Sequence, residues 1–120
     1  MEDKLLIILN SFKYPVYRQG SMSADAVYPE TFITFWNNDS PDHAHYDDKG
    51  YGTAWDYTVF VYSSDPAAVY SVLMDIKTAL QAAGWVCPSK GYDVASDEAT
   101  HTGRALEVFF LETTSAYTPR

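Results

Sequence analysis

The sequence has one cysteine, Cys87. No disulfide framework can form within the chain, and a reducing compartment is its natural context. Basic residues are scarce: eight Lys and Arg stand against sixteen Asp and Glu, a formal net charge of −8. No basic run occurs anywhere, and gripping a phosphate backbone requires clustered Lys and Arg. Direct nucleic-acid binding is therefore not expected. An acidic surface suits a protein partner, or a passage in which DNA slides without sticking. No apolar run approaches the roughly 18 residues of a membrane span. The opening MEDKLLIILNSF begins acidic and lacks a small-residue cleavage site, so no secretory leader is expected. Also missing are internal repeats, low-complexity tracts, a G-x-S-x-G, a phosphate-cradling glycine loop and an H-E-x-x-H.

What is present is a globular composition. The chain has 120 residues, 47% of them apolar and 20% charged, which is one domain with a core of its own. Aromatics are abundant, with ten Tyr and three Trp. Such rings favour surfaces with one buried and one wet side, and they are enriched at interfaces.

Periodicity divides the chain into elements. Leu5, Leu6, Leu9 and Phe12 recur at helical spacing, so Glu2 to Phe12 is expected to be a helix ended by Pro15. Val16 to Gln19 reads as a short strand, and Gly20 to Pro29 as a loop. Thr31 to Asn37 is β-branched and aromatic. Its Ile33 and Phe35 share one face, opposite Phe32, Thr34 and Trp36. Residues 38–53 carry Pro41, Gly50 and Gly52 with no apolar period, and read as a long mobile loop. Ala54 to Ser63 returns as a strand and closes a long hairpin. Pro66 to Ala83 is the best-marked helix, with Asp65 as cap, Pro66 at the first position and Gly84 as stop. Its stripe is Val69, Leu73, Ile76, Leu80 and Ala83. Trp85 to Cys87 reads as the start of a strand, Pro88 to Gly103 as irregular, Arg104 to Glu112 as the last strand, and 113–120 as a frayed tail. The fold class that follows is α+β. It is a two-layer sandwich in which a mostly antiparallel sheet with a long hairpin carries two helices packed on one face.

Chemistry has few candidates. His43 and His45 with Asp39, Asp42, Asp47 and Asp48 form the one cluster that suggests a metal, but no third histidine or cysteine lies near in sequence. The glycine and closing glutamate of a calcium loop are missing as well. A solvated acidic loop is the expected state. Cys87 follows Trp85 and Val86, the setting of a buried small hydrophobe. Asp47–Asp48 and Asp97–Glu98 are adjacent loop carboxylates, whereas acid–base pairs are separated and tuned by their surroundings. No catalytic residue, metal or cofactor is expected.

Taken in order, the stretches PETFITFWNN, HYDDKGYGTAWDYTVFVYSSDP, AVYSVLMDIKTALQAAGW and RALEVFFLE form a pattern. A strand, an aspartate-rich loop, a strand, a Ser-Asp-Pro helix start and an Ala-Gly-Trp close follow one another. In this the chain resembles the tail-terminator, tail-completion and head–tail joining (minor capsid) proteins of long-tailed bacteriophages and prophages. The resemblance implies a structural, non-enzymatic virion protein of the tail, assembled in the host bacterial cytoplasm. It implies self-association into a ring, expected to be a hexamer, that meets tail-tube and head-connector proteins while DNA passes through without specific binding. Within the long loop Asp42, His43, His45, Tyr46, Asp47, Asp48 and Tyr51, with Trp55 beyond it, are the expected contact residues. The aromatics would serve as anchors and the aspartates as partners for basic groups or as lining of the channel. The alternative reading is an acidic DNA-mimic or inhibitory binding protein. It is disfavoured because the acids concentrate in loops and are not regularly spaced along helices.

Overall fold

The computed structural model describes residues 1–19, 29–39, 52–96 and 98–113. The chain opens with α1 (Glu2–Asn10), whose first-turn Glu2 and Asp3 face the positive end of the helix dipole. The helix stops earlier than Pro15 would require. Ser11 and Phe12 close it with bonds to the carbonyls three residues back, and Lys13 takes a positive φ of 65°, a left-handed turn that ends helices by itself. Two strands follow, β1 (Val16–Arg18) and β2 (Thr31–Asp39). Next come β3 (Gly52–Ser63) and α2 (Pro66–Ala82), then β4 (Tyr92–Val94) and β5 (Thr102–Thr113).

The strands make one five-stranded sheet in the order β1-β2-β3-β5-β4. Among the described strands only the β1–β2 pairing is parallel. Leu5 and Leu9 of α1 join Val72, Leu73, Ile76 and Leu80 of α2 against Ile33, Phe35, Tyr57, Val59, Val61, Leu106 and Val108. Both helices thus cover the same sheet face, the expected two-layer α+β arrangement.

The local signals explain α2 well. The Asp65 carboxylate accepts a hydrogen bond from the Ala67 N–H at 3.1 Å, and Pro66 stands at the first helical position. At the other end Gly84 N–H donates to the Gln81 carbonyl and Trp85 N–H to that of Leu80. This paired closure needs a left-handed residue between helix and exit, and Gly84 supplies it with φ +96°. Val69, Leu73, Ile76 and Leu80 are buried as their spacing predicts. Ala83 is exposed, and Val72 takes its place in the core.

Three expectations are corrected. The strands reach further into residues 38–53 than their polarity suggests, because Asn38–Asp39 belong to β2 and Gly52–Thr53 to β3; residues 40–51 lie outside the described residues. Trp85 to Cys87 does not start a strand. Val86 makes a single antiparallel bridge to Phe109, and Pro88, with no N–H to give, stops the ladder there. The edge strand comes instead from Tyr92–Val94, inside the stretch that read as irregular. Finally, β5 extends from Thr102 through Thr113, so the expected tail narrows to 114–120, outside the described residues.

Candidate interaction surface

Strand alternation sends every second side chain of the sheet away from the helices. On that side Thr34, Phe60 and Ala105 stand in a row with Tyr92 at its end. The next row is Trp36, Thr58 and Glu107. Asp56 and Phe109 follow with Val86, and Ala54 and Leu111 come last. Among the described residues no helix or strand packs on this face.

The two ends of the face differ. At one end Phe32 is buried by its neighbours: it stacks on Tyr62 at 5.2 Å, meets Tyr17 edge-on and is flanked by the His101 ring. His101 is pinned there. Its Nε2 lies 2.8 Å from the Pro29 carbonyl oxygen, which can only accept, so Nε2 donates there, and Nδ1 lies 2.9 Å from the Thr100 hydroxyl. At the other end the apolar side chains are wet. Trp36 is 49% and Leu111 65% exposed, and Val86 is exposed beside them. An apolar face that the described residues leave uncovered is the kind of surface on which partners dock.

Between the ends lies a carboxylate pair. Asp56 and Glu107 lie close enough for the protonated carboxyl of one to donate to the other, and Asn38 Nδ2 donates both to Asp56 Oδ1 at 3.1 Å and to Thr58 Oγ1 at 2.7 Å. Burial pushes the Glu107 carboxyl above its ordinary value, and the like charge and hydrogen bond of Asp56 push it further. Among the described residues neither acid makes an ion pair; the two ion pairs there are Arg18–Glu2 and Arg104–Asp93.

The sign of the Glu107 effect is definite. A carboxyl raised in the folded state holds its proton more tightly than in the unfolded chain. Stability is therefore lost as pH rises from the ordinary Glu value through the raised one, and it stays lost at neutral pH. Glu107→Gln removes the charge and keeps a hydrogen-bond donor for Asp56. The variant is expected to melt above the native protein at pH 7, with the gap closing as both are acidified below the ordinary Glu pKa of about 4.3. Parallel melting curves across that range would show that the pair carries no strain.

The residues expected to make contacts from the long loop (Asp42, His43, His45, Tyr46, Asp47, Asp48 and Tyr51) lie outside the described residues. Trp55 is described. It sits on the helix-bearing face, stacks on Tyr57 at 6.3 Å and donates from Nε1 to Glu112 Oε1 at 2.9 Å. The open-face residues Trp36, Asp56, Glu107, Phe109 and Leu111 were not singled out by sequence. Their one signal was that β2 and β3 carry aromatics on both faces, more than a sheet covered on one side needs.

Nothing among the described residues brings three His, Cys, Asp or Glu side chains together to hold a metal. Cys87 is buried, and that burial raises its thiol pKa, although Lys77 pulls the other way. A thiol so placed is a poor nucleophile. Under native conditions Cys87 is expected to label with thiol reagents far more slowly than in denaturant; rapid stoichiometric labelling of the folded protein would contradict its placement.

The whole fold has a counterpart. It is similar to that of a chain in a structure described as the virion of native gene transfer agent particle, with a TM-score of 0.57. The match covers 90% of this chain and 85% of the other at 14% identity. At that identity the likeness shows a shared fold. No protein-family model matches the sequence, and no curated protein matches it.

Proposed function

We infer that this chain is a structural virion protein that forms a ring, of six subunits, at the end of a phage tail tube and joins or terminates the tube at the head–tail interface. The observation that carries the reading is the fold match to a virion chain over nine-tenths of this one. The surface agrees with such a role. The described residues leave one face of the sheet uncovered and partly apolar, and the net charge of −8 suits a channel through which DNA moves without binding. Its partners in this reading are its own copies, the tail-tube protein and the head connector, and its work is assembly and not catalysis.

The acidic segment around Asp42, His43, His45, Tyr46, Asp47, Asp48 and Tyr51 belongs to the same reading as an assembly element. Deleting Pro41 to Gly50 is expected to leave the fold intact and to abolish ring or tail joining. Normal particle yield with the deletion would remove the segment from the account. For the function as a whole, light scattering at rising concentration is the test. A ring former gives a discrete species several times the mass of the chain. A protein that stays monomeric throughout behaves as an acidic mimic would, and the ring reading falls.

A further inference from the structure

The open sheet face has a counterpart on the far side of the molecule. Ile7 is 72% exposed on the outer side of α1, the most exposed large apolar side chain among the described residues. Asp3, Lys4, Asn10 and Ser11 surround it, and Lys13 and the exposed Tyr14 follow in the adjoining turn. α1 lies behind the same end of the sheet that is wet on the other side. Its Lys4 ammonium sits over the Phe110 ring at 5.8 Å, and Phe110 is flanked in β5 by Phe109 and Leu111, which point the opposite way. The two exposed apolar patches therefore lie on opposite sides of the molecule.

Their charges are complementary. The first nineteen residues hold Lys4, Lys13 and Arg18 against Glu2 and Asp3, a slight basic excess in a chain whose net charge is −8. The open face carries the Asp56–Glu107 pair with no cation of its own chain beside it among the described residues. Face-to-face pairing of two open faces would set four carboxylates against one another, and would close a dimer and nothing larger. Edge pairing has little to use, since β1 and β4 at the two edges have only three residues each.

We propose that the occupant of the open sheet face is a second copy of this chain, docked head to tail, with the outer side of its α1 around Ile7 covering Trp36, Phe109 and Leu111 and its Lys4 and Lys13 reaching the Asp56–Glu107 pair. The inference rests on the ring reading and says which two surfaces make the ring. A head-to-tail contact repeats around a closed circle or runs on as a filament, according to the rotation it carries. It also supplies the counter-charge that the Asp56–Glu107 pair lacks among the described residues.

The test is complementation between two surface variants, Ile7→Asp and Leu111→Asp. Both positions are more than three-fifths exposed, and unchanged melting temperatures would confirm that each variant folds. Alone, each is expected to lose self-association, with the midpoint moved at least about tenfold to higher concentration, the loss of one buried anchor. Mixed, they should form a one-to-one dimer in sedimentation velocity and nothing larger. The α1 of the Leu111→Asp subunit still fits the open face of the Ile7→Asp subunit, and each complex then ends in two damaged surfaces. If either variant assembles like the native chain, or if the mixture stays monomeric while the native chain forms rings, the proposed contact is wrong and the ring reading stands. If the native chain itself never associates, the ring reading fails first.

Discussion

Replacing Leu73 with alanine is expected to lower the free energy of unfolding by about 2–5 kcal/mol, the range for a large aliphatic side chain removed from a core that cannot collapse. Leu73 is fully buried at the middle of the α2 stripe. Val69, Val72, Ile76 and Leu80 stand around it on the same helix, and Val59, Val61, Leu106 and Val108 lie on the sheet below. Its Cδ2 also reaches the turn at Gly91. Truncation would therefore open a void between two rigid layers that the strand ladder holds apart, and little can move in to fill it. Chemical denaturation should show a lower midpoint at unchanged slope, since the surface exposed on unfolding hardly changes. An unchanged midpoint would mean that the α2 stripe is not the core.

Gly91→Ala is expected to be as damaging by a different route. Gly91 has φ +86°, and a Cβ there would run into the Ala105 carbonyl oxygen, a backbone atom that cannot swing aside. The left-handed conformation alone costs about 1–2 kcal/mol for a residue with a side chain, and the clash adds to it. The turn is also a clamp. Arg104 donates to the Lys90 and Gly91 carbonyls and to the Asp93 carboxylate, which binds β4 to the edge of β5. Gly84→Ala is the matched control, because Gly84 has φ +96° but a Cβ there meets only the Phe110 ring at 3.6 Å. Thermal or denaturant unfolding should rank Gly91→Ala clearly below Gly84→Ala, with loss of amide protection at β4 in the former. Equal costs would show that the close approach at Ala105 relaxes freely.

The contrast between these two glycines indicates how much of the fold is legible in the sequence. α2 is written in local terms: Asp65 caps it, Pro66 starts it, the stripe faces inward and Gly84 stops it. The long strands are visible because Ile33, Phe35, Val59, Val61, Leu106 and Val108 alternate with residues that face the other way. What escapes a sequence reading is held by distant partners. β4 exists because Arg104, eleven residues beyond Asp93, fastens it. Asn38 and Asp39 look like loop residues, yet β2 runs through them, and Asn38 is anchored across the sheet to Asp56 and Thr58. Trp85 to Cys87 has strand-like side chains, but Pro88 allows only one bridge. The Lys13 turn that ends α1 carries no glycine to announce it.

The interaction surface is less legible than the fold for the same reason. Asp56 and Glu107 come from β3 and β5 and meet only through the register that sets Thr58 opposite Glu107. Read singly, each is a surface acid. Trp36, Phe109 and Leu111 become a patch only when the sheet order is known and both helices are seen to lie on the other side.

Electron micrographs of the negatively stained, purified protein test the central claim most directly. The account predicts uniform annular particles with sixfold symmetry and an open centre. Fields of single subunits at concentrations where the native chain should assemble would contradict it.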